Sequence, residues 1–375
     1  DMQFTFVNNE TGEKPIDWKL EYMFGKAPRT VMRDSTVREE YEAPAYTEKE
    51  LEKYLENVLQ LEGVACKDWL TNKVDRSVTG RIAMQQCAGS VQVPLNDCAV
   101  VALDYQGKAG IATALGHAPA AALADAPKGS VLAIAEALTN IVLAPIAGGL
   151  SSVSLSANWM WPCRNAGEDA RLYAAVQAAS DFAQALGINI PTGKDSLSMT
   201  QKYKNGDVVY APGTVIITSA GEVSDIRKVV SPALKAKKSR IVYVDFSKDG
   251  FGLGGSSFGQ VLNRIGGDVP TVQDAEYFKR AFAAVQELIE ARKVLAGHDV
   301  SAGGLVTALL EMTFADNRSG ITVDTDVLGK EDIVRVLFSE KPALVLQVED
   351  AENVVAELKA EGVDAVVLGE VNRDR

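Results

Sequence analysis

The stretch Val131–Leu150, VLAIAEALTNIVLAPIAGGL, constrains the fold more than any other part of the chain. It is long and apolar enough to raise the question of a membrane span. Yet it carries Glu136, Thr139 and Asn140 and is broken at Pro145-Ile146-Ala147-Gly148-Gly149. These features predict a buried helix over Lys128–Leu143 and not a span. Glu136 and Asn140 stand at i and i+4, so on a helix both side chains leave one face, a turn apart. Polar groups inside an apolar run must find partners. From the residues alone two readings stay open: a structural hydrogen-bond role, or a shared functional site. A carboxylate beside an amide oxygen suits a hard cation such as Mg²⁺, which takes oxygen ligands and is usually shared with phosphates. Asp299, in His298-Asp299-Val300-Ser301-Ala302-Gly303-Gly304, offers a second carboxylate. Asp97, in Pro94-Leu95-Asn96-Asp97-Cys98-Ala99-Val100, offers a third. Together the three segments form a candidate Mg-nucleotide site.

A chain of 375 residues has room for two or three domains, and 47% apolar with 23% charged residues fits ordinary globular folding. The net charge of -12, with no long Lys/Arg block, argues against a nucleic-acid partner. Four cysteines without C-x-x-C spacing and only two histidines support no zinc site. Free thiols of a cytoplasmic protein are the expectation. The opening DMQFTFVNNE has neither the basic nor the apolar region of a signal peptide. It starts directly in strand-like alternation, which reads as part of something longer.

Along the chain, residues 1–60 read as a linker and a leading helix, Tyr46–Leu61, with Thr47 and Glu50 spaced as a capping box. Residues 61–225 read as one domain. It has strands at Ala99–Tyr105 and Gly110–Leu115, the buried helix, a strand at Val153–Trp159, a helix at Gly167–Leu186 and a strand at Gly213–Val223. A lysine-rich stretch, 224–239, leads into a second domain, 226–375. That domain is expected to hold a strand at Ser239–Phe246, a glycine-rich loop at Gly250–Ser257, helices at Ala275–Leu295 and Gly304–Phe314, and further strands to Leu368. The order of elements indicates an α/β layer domain followed by an α+β domain.

Other motifs carry less. Gly252-Leu253-Gly254-Gly255 follows a predicted strand but fits neither G-x-G-x-x-G nor a P-loop; it is a turn or an anion cradle. Thr192-Gly193-Lys194-Asp195-Ser196 sets a cation beside a glycine and hydroxyls, as a phosphate contact or a surface turn. Asp75-Arg76-Ser77-Val78-Thr79-Gly80 suits a structural ion pair or a ligand contact. Cys87 has no recognisable base partner, which argues against a thiol nucleophile.

Seven stretches taken in order, VDRSVTG (74–80), VPLNDCAV (93–100), EALTNI (136–141), LSANWM (155–160), GEDARLY (167–173), IPTGKDSLSM (190–199) and HDVSAGGL (298–305), resemble the large, single-chain phosphoribosylformylglycinamidine synthases. The resemblance runs from about residue 60 to the end. It implies the fold shared with aminoimidazole ribonucleotide synthetase: an α/β domain whose sheet pairs with a twin, then an α+β domain. It implies a ligase that makes formylglycinamidine ribonucleotide in purine biosynthesis from ATP and glutamine, with two such halves in tandem and a glutaminase domain. The catalytic half carries an E-T-x-N-H-P segment that nothing here matches. The chain therefore resembles the second half, which in the family holds a structural nucleotide with Mg²⁺.

By motif, the resemblance places metal ligands at Asp97, Glu136, Asn140 and Asp299, and contacts to ATP or ADP at Asn96, Ser301 and, by spacing, Lys67. It implies no catalytic residue in this segment, activity only alongside the remaining domains of the synthase, and a homodimer of the fragment in their absence. Two alternatives remain: a stand-alone ATP-dependent synthetase or kinase of the same superfamily, and a non-enzymatic interaction module. The first needs catalytic residues near the start that are not visible. The second is disfavoured by the joint presence of Asp97, Glu136, Asn140 and Asp299.

Overall fold

The computed structural model describes residues 2–25, 31–73, 76–93, 95–315, 319–329 and 332–372; Asp75 and Pro94 lie outside them. The chain forms two compact units, Asp1–Asp34 and Ser35–Arg375. In the small unit, strands Gln3–Phe6 and Ile16–Lys19 pair antiparallel and a short helix, Leu20–Phe24, follows. All else below concerns the large unit.

Its first sheet has six strands in the order Ile82–Met84, Ala99–Ala102, Gly110–His117, Thr214–Val223, Ser154–Met160 and Asn189–Ser196. All neighbours are antiparallel except the last pair, which is parallel and joined through the helix Glu168–Leu186. The central strand Gly110–His117 alternates strictly. Gly110, Ala112, Ala114 and Gly116 face inward, and Ile111, Thr113, Leu115 and His117 stay exposed. Small inward residues let the helix Ala126–Ile141 lie almost on the sheet backbone. A Cβ at Gly116 would sit 2.2 Å from the Ala133 carbonyl oxygen and 2.3 Å from the Ala137 nitrogen. Gly116→Ala is therefore expected to lose about 1–3 kcal/mol in urea unfolding, as overpacking of a closed site does.

The buried helix starts at Asp125, whose carboxylate accepts from the Lys128 backbone N–H at 3.0 Å, and runs Ala126–Ile141. It unwinds two residues before the expected Leu143, and the buried run Val142–Ile146 leaves backbone groups to satisfy. Gln286 satisfies three of them. Its amide nitrogen donates to the carbonyls of Val142 (2.6 Å) and Ala144 (2.8 Å), and its oxygen accepts from the Ile146 N–H (2.7 Å). The Pro145 break is thus held by a polar side chain from another helix. No helix among the described residues is long and apolar enough to cross a membrane.

The second sheet has five antiparallel strands in the order Val294–Asp299, Ala343–Val348, Arg240–Asp245, Ala365–Asn372 and Gly320–Val323. Ala343–Val348 is buried along its whole length, with helices on both faces of the sheet. Ala275–Glu290 and Ala351–Ala360 pack in the core shared with the first sheet, and Gly304–Phe314 lies against the opposite face. Phe278 marks the meeting point, edge-on to Phe182 at 6.0 Å and to Phe246 at 5.2 Å. The mixed helix and sheet layers are the α/β and α+β class expected.

Three local expectations change. The capping box at Thr47 does not form. The Thr47 hydroxyl accepts no capping hydrogen bond, and the Glu50 carboxylate instead accepts from Lys53 and Tyr54, with the helix proper at Leu51–Gln60. The helix expected to reach Leu295 stops at Glu290; Arg292 turns to a φ of 57°, and Val294–Asp299 is a strand. Thr192–Ser196 is the end of an edge strand and not a turn, because it pairs in parallel with Ser156–Met160.

Candidate functional site

A cavity of about 800 Å³ opens where the first sheet, the buried helix and the second sheet converge. Each element delivers a side chain. Asp97 and Asn96 lie just before the strand Ala99–Ala102, and Asn140 comes from the last turn of the buried helix. His298 and Asp299 end the strand Val294–Asp299, and Ser301 follows in the turn. Thr307 and Glu311 come from the helix Gly304–Phe314, and Lys67 from the segment after Leu51–Gln60. Leu59, Val64, Leu95, Leu115 and Phe314 give the cavity apolar walls. Its size and its few polar groups suit a small-molecule ligand.

Asp97, His298 and Asp299 bring their ligand atoms within 4.8 Å of one another. One Asp97 oxygen, Oδ1, accepts from His298 Nδ1 at 2.6 Å and from the Asp299 backbone N–H at 3.2 Å. His298 Nε2 meets Glu311 Oε2 at 2.8 Å. With a carboxylate at each nitrogen, the charged form of the ring is favoured. Burial opposes that charge, but Asp97 and Glu311 outweigh it and hold His298 well above its usual range. A doubly protonated imidazole offers no lone pair, so it orients Asp97 instead of binding metal. Burial, then the Asp97 charge, push the Asp299 carboxyl well up.

The second oxygens, Asp97 Oδ2 and Asp299 Oδ2, are buried without a hydrogen-bond partner, as is Asn96 Oδ1. Two buried carboxylates this close are costly unless a cation faces them or they share a proton. Oxygen donors from Asp97, Asp299 and the Asn140 amide fit a hard divalent cation. The Asn140 amide nitrogen donates to the Leu115 carbonyl at 2.9 Å, so its oxygen is the atom that could face a cation.

Glu136 stands apart from the cavity lining. Its carboxylate accepts from the His117 backbone N–H at 2.6 Å and lies 3.7 Å from His117 Nδ1. That contact raises the His117 imidazolium pKa. Glu136 is still close enough to Asp299 to push its carboxyl up. Lys67 lines the cavity with its ammonium on the Ala65 carbonyl at 2.9 Å. Asn96 donates its amide to the Gln85 carbonyl at 2.7 Å.

The glycine-rich loop is not an open anion cradle. Gly254 donates to Asp268, Gly255 to Ile265 and Ser257 to the Glu340 carboxylate. A Cβ at Gly254 would meet Asp268 at 2.5 Å, and one at Gly255 would meet Ala121 at 2.3 Å, so these glycines serve close packing. Lys194 lies on the exposed edge strand, its ammonium 3.2 Å from Ser196 Oγ, and does not line the cavity. Cys87 Sγ contacts Asn72 Oδ1 at 3.5 Å.

His298, Glu311 and Thr307 were not singled out as site residues from sequence. A signal existed for two of them. Thr307 and Glu311 are i and i+4 on an apolar helix, the same pattern that drew attention to Glu136 and Asn140.

Residues 66–222 match the family model of the FGAR-AT PurM_N-like domain, and residues 240–375 match that of the AIR synthase related protein, C-terminal domain. The chain is 41% identical over 362 residues to the phosphoribosylformylglycinamidine synthase of Homo sapiens, a match covering 95% of this chain and 27% of that protein. It is 40% identical over 364 residues to the probable phosphoribosylformylglycinamidine synthase, chloroplastic/mitochondrial, of Arabidopsis thaliana, covering 95% and 25%. The chain thus spans about a quarter of the length of these curated relatives. Among solved structures, T. maritima PurL complexed with FGAR superposes with a TM-score of 0.65 at 14% identity, over 86% of this chain and 49% of that one. T. maritima PurL complexed with ADP gives 0.60 at 14%, over 86% and 48%. At that identity the likeness is one of fold.

Proposed function

The chain belongs to the phosphoribosylformylglycinamidine synthase family, and from that premise we propose that its cavity binds a Mg-nucleotide, ATP or ADP, as a structural ligand. Asp97, Asn140 and Asp299 hold the metal through oxygen, with Glu136 completing the set from the adjoining turn of the helix. Asn96, Ser301 and Lys67 contact the nucleotide. Bound there, the ion neutralises buried carboxylates and ties the first sheet to the second. The observation that carries this reading is the pair of buried, partnerless carboxylate oxygens at the cavity.

In this reading residues 61–225 and 226–375 are the two domains of the second synthase-like half. The intact protein converts formylglycinamide ribonucleotide to formylglycinamidine ribonucleotide with ATP and glutamine, a carbon–nitrogen ligase reaction. This segment braces the first synthase half and the glutaminase domain and does not turn over alone. The outward strand face, with Ile111 45% and Leu115 58% exposed, supports a sheet that pairs with its twin, or with a second copy of the segment when the twin is missing.

Calorimetric titration of the nucleotide-stripped chain tests the site. One Mg-ADP per chain is expected, with little binding when EDTA removes the metal. ADP binding equally well without Mg²⁺, or no binding at all, contradicts it.

A further inference from the structure

Glu340 lies outside every motif that marks the site, yet it joins the turn beside the cavity to the glycine-rich loop. Its Oε1 accepts from the Gly303 N–H at 2.8 Å and from the Ser257 N–H at 2.8 Å. Gly303 ends the turn that carries Asp299 and Ser301, and it caps the helix that brings Thr307 and Glu311 to the cavity. Ser257 ends the glycine-rich loop. One carboxylate oxygen therefore fixes a cavity wall to a loop packed against residues 265–268.

The surroundings leave the turn no other seat. Gly303 has a φ of +90°, and a Cβ there would strike Thr307 Oγ1 at 2.3 Å. Gly304 has a φ of +74°, and a Cβ there would meet the Leu337 and Phe338 backbone at 2.7 Å. The turn rests directly on the segment that leads into Glu340. Thr307 Oγ1 donates to the Gly303 carbonyl at 3.0 Å, and the Gly304 N–H donates to the Ser301 carbonyl at 2.9 Å. The Ser301 carbonyl is thus held by Gly304, and Glu340 holds the neighbouring Gly303.

We propose that Glu340 is a positioning residue: by clamping Gly303 to Ser257, it sets the Asp299–Ser301 wall in the geometry that receives the ligand. The inference rests on the nucleotide reading of the cavity. Loss of the carboxylate leaves two backbone N–H groups short of an acceptor and frees the turn. Glutamine keeps an acceptor oxygen at the same reach and restores the clamp. Aspartate, one methylene shorter, reaches one loop only.

The test compares Glu340→Ala, Glu340→Asp and Glu340→Gln with the unaltered chain by two readouts. Hydrogen exchange followed by mass spectrometry reads the segments 250–260 and 297–306, and calorimetry reads Mg-ADP affinity. Alanine and aspartate are expected to speed exchange in these two segments alone and to weaken Mg-ADP by about 10-fold or more, the usual size of an outer-shell loss. Glutamine is expected to stay within about threefold of the unaltered chain on the same scale. Should the alanine chain not fold, the aspartate chain decides. Unchanged exchange overturns the clamp, as does faster exchange with unchanged affinity. If the unaltered chain binds no Mg-ADP, the nucleotide reading fails, and exchange alone then decides the clamp.

Discussion

Gln286→Leu is expected to destabilise the chain by about 3–5 kcal/mol in urea or thermal unfolding, because each buried polar group left unpaired costs about 1–3 kcal/mol. Leucine matches the volume of Gln286 but cannot bond the carbonyls of Val142 and Ala144 or the N–H of Ile146. Those groups lie in a buried segment. Gln286→Glu is expected to fail as well. It keeps the acceptor for Ile146 but turns a buried carboxylate oxygen toward two carbonyls. Stability equal to the unaltered chain in both variants would mean that Val142–Ile146 relaxes to find other partners.

Asp299→Asn is expected to weaken Mg-ADP by at least about 100-fold, since it removes a charged ligand and not merely its support. Without metal, the same change should leave the melting temperature at or above that of the unaltered chain. Burial and the Asp97 and Glu136 charges raise the Asp299 pKa in the fold. A raised folded pKa gives stability that is present below the unfolded value, near 3.9, and lost as pH rises through the folded one. Above that folded pKa the ionised Asp299 therefore strains the empty site, and asparagine relieves it. The two melting curves should cross: the variant level or higher when stripped, lower with saturating Mg-ADP. A variant that melts lower in both states would assign Asp299 a purely structural role.

What the sequence discloses about this fold follows from which interactions are local. The buried helix was legible because its apolar run, its Pro145 break and its polar pair lie in one stretch. Its true end was not, since Gln286 supplies the bonds that let it unwind at Ile141, from a helix far along the chain. Asp97, Asn140 and Asp299 were legible as oxygen donors, and the fold brings all three to one cavity. Glu136 shares a helix face with Asn140, but its carboxylate is engaged by the His117 N–H, a partner on the strand under the helix that spacing cannot reveal. The glycine-rich loop stayed open between a turn and an anion cradle for a related reason. Glycines that cradle an anion and glycines that admit a neighbouring backbone look alike in sequence, and here Asp268 and Ala121 are the neighbours. The 192–196 segment looked like a turn because its strand partner, Ser156–Met160, pairs with it only after a whole helix has crossed over. Glu340 carries no motif; only the packed structure ties it to the turn beside the cavity.

Diffraction from crystals grown with ADP and Mn²⁺, collected at a wavelength where manganese scatters anomalously, tests the central claim most directly. The account predicts a single anomalous peak against Asp97 Oδ2 and Asp299 Oδ2, with nucleotide density filling the cavity beside Lys67 and Ser301. A nucleotide bound elsewhere, or a cavity holding neither metal nor nucleotide at saturating concentrations, would contradict it.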